Sequence, residues 1–187
     1  MRLVDRILRL SATDLANHLS CAHLSQQSRA VAEGRAKKPK WHDPIAAILQ
    51  ERGLVHENAY LEHLKKQGAE VVVIAEGSEA AGRDRTKAAM QAGASIIYQA
   101  PLGNERWYGR ADFLQRCDAP SELGDWSYEV VDAKLATETR AGTILQLCTY
   151  CEMLAALQGA EPARFHVVTP LAAEAYRTAD FAAYFRF

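Results

Sequence analysis

The segment from residue 107 to residue 136 constrains the fold of this chain more than any other. It reads WYGRADFLQR, then the polar break CDAPSELGD, then WSYEVVDAKLA. Two β-like runs therefore flank a loop that is rich in turn-forming residues. The pattern predicts two strands that pair as a hairpin, with Asp112 in the first strand and Asp132 in the second.

These two strands carry an unusual set of charges. Asp132 and Lys134 are two residues apart, so their side chains are expected on the same face of the sheet, and hairpin pairing lets Asp112 join them. Two carboxylates and a lysine on one face suit a metal site with a charge partner. A surface ion pair is the ordinary alternative, and the apolar neighbours Val130 and Val131 argue against an exposed strand end.

Helix and strand signals alternate along the rest of the chain. Ser11, followed by Asp14, is a helix-capping signature, and Asp43 before Pro44 is another. Helices are expected over about residues 12–19, 22–32, 44–67, 143–157 and 180–187 and within 76–94, and strands over 70–75, 95–102 and 164–171. The order predicts an α/β fold: a mixed central β-sheet flanked by helices, with a helical N-terminal segment.

Composition is that of an ordinary globular protein. Of the 187 residues, 49% are hydrophobic and 24% are charged, which allows one domain with a real core. The first ten residues alternate charged with apolar residues, unlike a secretion signal, and no apolar run approaches the length of a membrane span. Four scattered cysteines suit a reducing compartment, so a cytoplasmic location without membrane contact is expected.

Overall charge does not point to a nucleic-acid partner. The net charge is −1, so the chain as a whole has no basic footprint. The local basic run of Arg35, Lys37, Lys38 and Lys40 reads as solvated surface when taken alone. Beside a nuclease site, the same run would be suited to contact phosphates.

Three further side chains have the chemistry to complete a metal site. His56 lies on the long predicted helix, and Gln146 and Tyr150 lie four residues apart on one face of a later helix. Aspartate oxygens suit Mg²⁺ or Mn²⁺, and Mn²⁺ accepts an imidazole more readily. Such ions activate water, and a lysine can orient or deprotonate it. Taken singly, His56 reads as a hydrogen-bonded helix residue and the Gln/Tyr pair as a polar helix face.

The order of the motifs resembles that of the PD-(D/E)xK nuclease superfamily, and more narrowly its RecB-like branch, which includes the CRISPR-associated RecB-like exonucleases. The motifs are G-x-x-H, G-x-x-D, D-A-K and Q-x-x-x-Y, at residues 53–56, 109–112, 132–134 and 146–150. The resemblance covers about residues 11–170. It implies a restriction-endonuclease-like fold and a single nuclease domain over residues 1–187.

The resemblance also implies which residues hold the metal and which act in catalysis. His56, Asp112 and Asp132 correspond to metal ligands, and the main-chain carbonyl of Ala133 would be a further ligand for Mg²⁺ or Mn²⁺. Lys134 corresponds to the catalytic lysine, which acts together with Asp112 and Asp132.

Substrate contacts follow in the same way. Gln146 and Tyr150 resemble the motif that contacts the substrate phosphate and helps to position the lysine. Arg110 lies two residues before Asp112, hence on its face, and is expected to contact a phosphate as well. Glu57 stands where many relatives carry an acid beside the histidine, which suggests a supporting role.

The cysteines depart from part of the family pattern. Some RecB-like nucleases hold a [4Fe–4S] cluster with one early cysteine and three late ones. Cys21 stands in the early position, but no cysteine follows Cys151. A cluster is therefore not expected in this chain, and Cys148 and Cys151 are expected to be small buried residues. A zinc site at Cys21 and His23 lacks a second ligand pair. The tryptophans are expected to serve in packing rather than base stacking: Trp41, Trp107 and Trp126.

These features predict a metal-dependent DNA nuclease that hydrolyses phosphodiester bonds, an exonuclease on single strands or ends, in DNA repair, recombination or defence. The alternative is an inactive nucleic-acid-binding or assembly module of the same fold. DNA is the expected partner. Four aromatics in the tail, residues 180–187, are consistent with the N-terminal part of a longer protein. Relatives are often fused to a helicase or a second nuclease-like domain, which makes either one, in the same or a partner chain, a further expected partner.

Overall fold

A computed structural model of the chain describes residues 1–40 and 43–186. In chain order, the elements are β1 (Arg2–Val4), β2 (Ile7–Ser11), α1 (Ala12–Ser20), α2 (Ala22–Ala32), α3 (Pro44–Lys66), β3 (Val71–Val73), α4 (Glu79–Gln91), β4 (Ile96–Gly103), β5 (Trp107–Cys117), β6 (Ser127–Ala133), α5 (Ala141–Gln158), β7 (Arg164–Val168), β8 (Ala173–Arg177) and α6 (Ala179–Arg186).

The eight strands of the described residues form one mixed sheet. Its main path runs β1-β2-β5-β6-β7-β8, and β4 branches from β5 and pairs with β3. β5 pairs antiparallel with both β4 and β6, whereas β6 pairs parallel with β7 and β3 parallel with β4. The predicted α/β architecture, a mixed sheet flanked by helices, is confirmed.

Two apolar cores lie against the sheet. The larger core packs α4 and α5 on the strands and includes the fully buried Met90 and Leu154. The smaller core packs the C-terminal half of α3 on the strands through Leu61, Leu64 and Phe113. Burial of these side chains stabilises the sheet, at roughly 25 cal/mol for each Å² of apolar surface removed from water.

Local capping chemistry fixes the helix ends. Ser11 and Asp14 form a capping box at the start of α1, and the Asp43 carboxylate accepts hydrogen bonds from the first turn of α3, whose first residue is Pro44. α5 ends at Gly159, which has a φ of 67°. The predicted limits of α1, α2, α3 and α5 agree with these bounds to within two residues.

The sequence did not reveal the hairpin that precedes the N-terminal helices. β1 and β2 pair antiparallel, and they are joined by Asp5 and Arg6, whose φ values are 49° and 64°. Such turns usually have Gly at the second position, and Arg6 occupies that position here. The edge strand β8 was also missed, since its mostly exposed residues have no apolar alternation.

Two of the three tryptophan predictions are confirmed, and the third, for Trp41, lies outside the described residues. Trp107 and Trp126 pack against the larger core, as expected. The tail forms α6, one residue earlier than predicted, while Trp41 and Phe187 lie outside the described residues. Among the described helices, none combines the length and the apolar character needed to cross a membrane.

Candidate active site

The hairpin of β5 and β6 brings the two aspartates together. Phe113 pairs with Val131, and continuing this register by one residue sets Asp112 opposite Asp132. The backbone N–H of Ala133 donates to Asp112 Oδ2 at 2.9 Å. This backbone contact fixes the Asp112 carboxylate beside the end of β6, on the segment that the sequence predicted to carry the site.

Asp132 is buried, and its carboxylate lacks the hydrogen bonds that usually accompany burial. Only 1% of the residue is exposed, and within the described part of the chain Oδ1 has no hydrogen-bond partner. Oδ2 has one charged neighbour, Lys134 Nζ at 2.8 Å, an ion-pair contact that lacks hydrogen-bond direction. Burying a carboxylate oxygen without a hydrogen-bond donor costs free energy, so Asp132 Oδ1 is available to bind a cation.

The pKa values of Asp112 and Asp132 are raised because both carboxyl groups are buried. Burial, the Asp132 charge and the Glu57 charge raise the pKa of Asp112 to about 8. Burial also raises the pKa of Asp132, against the opposing effect of Lys134. Burial alone would lower the pKa of Lys134, but the carboxylates, Asp132 first, outweigh it and raise that pKa. Lys134 therefore stays protonated beside two carboxyl groups whose charges repel each other.

Glu57 of α3 is the third carboxylate of this cluster. Its charge contributes to the raised pKa values of Asp112 and Asp132 and to the raised pKa of Lys134. The side-chain amide of Gln99 donates a hydrogen bond to Glu57 Oε1. From the sequence, Glu57 was expected to have only a supporting role, and its charge acts on both aspartates and on Lys134.

Gln99 is the site residue that sequence reasoning missed entirely. It lies within β4, opposite Asp112 by the pairing register, and its backbone φ is 55°. A non-glycine residue in this region costs of order 1–3 kcal/mol, and such strain concentrates at functional sites. No sequence signal distinguishes this glutamine from an ordinary strand residue, because only the backbone conformation reveals it.

His56 lies beside the acid cluster and is engaged elsewhere. Its Nε2 is 3.0 Å from the carbonyl oxygen of Val168, at the end of β7, which also accepts the backbone N–H of Lys134 at 2.9 Å. Within residues 1–40 and 43–186, no three His, Cys, Asp or Glu side chains are close enough together to hold one metal ion. The structure therefore does not assemble His56, Asp112 and Asp132 as one ligand set.

Tyr150 reaches the site from α5 across a glycine. The side chain is 5% exposed, and a Cβ on Gly109 would lie 2.5 Å from its Cε1 atom. Burial, with the charges of Asp132 and Asp112, raises the pKa of Tyr150 to about 12, while Gln146 and the Arg110 backbone act in the opposite sense. The hydroxyl thus stays protonated, as a hydrogen-bond donor close to the acids.

Arg110 and the cysteines lie away from the centre of the acid cluster. Arg110 is exposed on β5 and lines a cleft of 350 Å³ beside the start of α4. Cys148 and Cys151 are buried and free, as expected, and Cys21 is exposed at the junction of α1 and α2. The basic residues Lys37, Lys38 and Lys40 are exposed.

Comparison with models of known protein families and with curated protein sequences found no match. The interpretation of the site therefore depends on its own residues and geometry.

Proposed function

We propose that the chain is the nuclease domain of a metal-dependent deoxyribonuclease, which hydrolyses phosphodiester bonds as an exonuclease on single strands or ends. The observation that carries the proposal is the buried Asp132 carboxylate, which faces Asp112 and has one oxygen without a donor and Lys134 beside the other. Metal-dependent phosphoryl transfer requires such carboxylates and a positioned cation.

The donor set fits a hard divalent cation. Asp112 and Asp132 supply carboxylate oxygens, and Glu57 is the nearest further carboxylate by its electrostatic effect on both. Mg²⁺ and Mn²⁺ favour oxygen ligands, so Glu57 would be a better third ligand than His56, but within the described residues neither side chain is close enough to complete a set of three. When bound, the ion supplies an activated water and neutralises charge on the phosphate.

The remaining residues then have separate roles. Lys134 keeps its proton, so it stabilises negative charge that develops on the phosphate and orients the attacking water, rather than removing a proton. Tyr150 donates from its protonated hydroxyl toward the same region. Arg110, exposed two residues from Asp112, holds a neighbouring phosphate.

Cleavage of a labelled single-stranded oligonucleotide with Mg²⁺ or Mn²⁺ tests this function. Asp132→Asn and Lys134→Ala are each expected to lower the rate by about a hundredfold or more, because each removes a charge from the reacting centre. Asp180→Asn, at an exposed carboxylate of α6, is the matched control and should leave the rate unchanged. Equal cleavage by wild type and both site variants would show that Asp132 and Lys134 are not active-site residues.

The second candidate is an inactive nucleic-acid-binding or assembly module of the same fold. The engagement of His56 with the Val168 carbonyl favours it, because this contact leaves the predicted ligand set incomplete. Calorimetric titration with Mn²⁺ discriminates between the two. Saturable binding that is lost in Asp112→Asn and weakened in Glu57→Gln supports the nuclease, and a protein that takes up no Mn²⁺ is the binding module.

A further inference from the structure

We propose that the cleft lined by Arg2, Arg85 and Arg110, with Tyr108 on its wall, binds the phosphates of a single DNA strand next to the bond that is cleaved. We call it the arginine cleft. This inference rests on the nuclease function proposed above, and it names the path that the substrate takes away from the acid cluster.

The position of the cleft connects it to the acids. Arg110 and Asp112 are two residues apart on β5, so their Cα atoms are about 6.6 Å apart along the strand. From Arg110 the cleft, of 350 Å³, continues between β5 and the first turn of α4. A strand whose phosphate lies at Asp112 would therefore meet the arginines next.

The cleft has an excess of positive charge. Its lining holds three arginines and a single acid, Glu79. That carboxylate already pairs with Arg2 and with Arg9, whose Nη1 is 2.7 Å from Glu79 Oε1, while Arg83 Nε is 4.0 Å away.

One carboxylate thus serves several guanidinium groups. Burial, then the charges of Arg2 and Arg83, lower the pKa of Arg9, so like charges act on one another at this edge of the cleft. A phosphate in the cleft would offset this repulsion.

The guanidinium group of Arg85 is held in an orientation that suits phosphate binding. Arg85 donates from Nη2 to the Ala75 carbonyl at 2.7 Å, which orients the guanidinium and leaves other donors free. A Cβ on Gly77 would lie 3.1 Å from Arg85 Nη2, so the glycine lets the side chain lie against the loop. Fixed arginine forks bind phosphate oxygens with charge-assisted hydrogen bonds.

Tyr108 is the feature of the cleft that favours a single strand over a duplex. The ring is partly exposed, and Arg2 Cζ lies 3.8 Å from its centroid. A positively charged groove combined with an aromatic or guanidinium stacking surface is the usual arrangement for single-stranded nucleic acid, whose bases are free to stack.

Fluorescence anisotropy tests the cleft, with a labelled single-stranded DNA of about 12 nucleotides and with EDTA to prevent cleavage. Arg85→Gln and Arg2→Gln are each expected to weaken binding about tenfold. Each should also lower the slope of log affinity against log salt by about 0.7. Arg177→Gln in β8, whose side chain is 71% exposed, is the matched control and should bind as wild type does. Thermal melting checks that each variant is folded.

The outcomes separate the cleft from the catalytic proposal. If Arg85→Gln and Arg2→Gln bind DNA as wild type does while the wild type cleaves DNA, the arginine cleft does not bind the strand and the nuclease proposal is retained. If both weaken binding but the wild type does not cleave with Mg²⁺ or Mn²⁺, the cleft stands and the nuclease proposal fails. A duplex of the same sequence that binds more tightly than the single strand also contradicts the cleft proposal.

Discussion

Tyr150 can lie close to Asp112 and Asp132 only because residue 109 is a glycine and has no Cβ. The tyrosine ring occupies the space that any Cβ at residue 109 would take, with its hydroxyl 3.1 Å and its Cε1 2.5 Å from that position. The glycine of the G-x-x-D motif is thus explained by packing against the tyrosine of the Q-x-x-x-Y motif. Two motifs that are separate in the sequence form one contact in the fold.

Gly109→Ala is expected to displace Tyr150 and to lower the free energy of unfolding by about 1–3 kcal/mol, as overpacking of a buried site does. Urea unfolding measures the change. Gly53→Ala is the matched control, because nothing lies within 4 Å of a Cβ there and the residue is inside α3. The control should stabilise the protein by roughly 0.5–1 kcal/mol. A Gly109→Ala variant as stable as wild type would mean that the ring moves without cost.

The residues of the site divide by how far sequence could predict them. Asp112, Asp132 and Lys134 were identifiable because strand alternation and hairpin pairing are short-range rules. The ion pair of Lys134 with Asp132 and the contact of Asp112 with the Ala133 backbone are both short-range in this hairpin. The pairing of His56 with the Val168 carbonyl joins residues 112 positions apart, and the strained φ of Gln99 depends on its neighbours in the sheet. Neither has a local signature.

At the scale of whole elements, α5 is tied to the sheet by one buried amide. Gln158, fully buried, accepts the Tyr128 N–H at 2.8 Å and donates to the Tyr128 carbonyl at 3.3 Å and to the Ala160 carbonyl at 2.9 Å. The pairing of β6 with β7 begins only at Val130. The glutamine therefore replaces a strand partner at the start of β6.

Gln158→Met retains the size of the side chain and removes all three hydrogen bonds. The unpaired N–H and C=O of Tyr128 would then be buried, so the free energy of unfolding should fall by about 2–4 kcal/mol. Gln91→Met, at an exposed glutamine that ends α4, is the control and should change stability by less than about 0.5 kcal/mol. Urea unfolding of both variants gives the comparison, and equal effects would show that the amide is not a structural link.

Helix ends were predictable where the sequence contains a capping residue, and strands were predictable where apolar residues alternate with polar ones or follow one another. The capping residues Ser11 and Asp43 and the glycine after α5 fix three boundaries. β1 and β2 escaped prediction although the first ten residues alternate charged with apolar residues, because the turn between them has no glycine. β8 escaped because its residues are mostly exposed. β2 joins the sheet only through residues 10 and 11, beside the start of β5.

At the scale of the whole molecule, the fold buries the carboxyl groups of Asp112 and Asp132 side by side, with the charge of Glu57 acting on both, and the repulsion among these carboxylates opposes folding when no cation is bound. Burial, Asp132 and Glu57 raise the pKa of Asp112 to about 8, from an ordinary value of 3.8. Between these values the folded protein keeps a proton that the unfolded chain has released. Raising the pH through this window therefore removes stability, and the loss is complete above the folded-state pKa.

The metal-free protein is accordingly expected to be more stable near pH 5 than near pH 8, with a loss on the order of 1 kcal/mol for each pH unit. Urea unfolding in EDTA across this range measures the slope. Asp112→Asn isolates the effect, because its amide oxygen can still accept the Ala133 N–H while the repulsion is gone. The slope should flatten in this variant, and in wild type with saturating Mn²⁺. Stability that stays level or rises from pH 5 to pH 8 in metal-free wild type, relative to Asp112→Asn, would show that the carboxylates do not repel each other in the folded state.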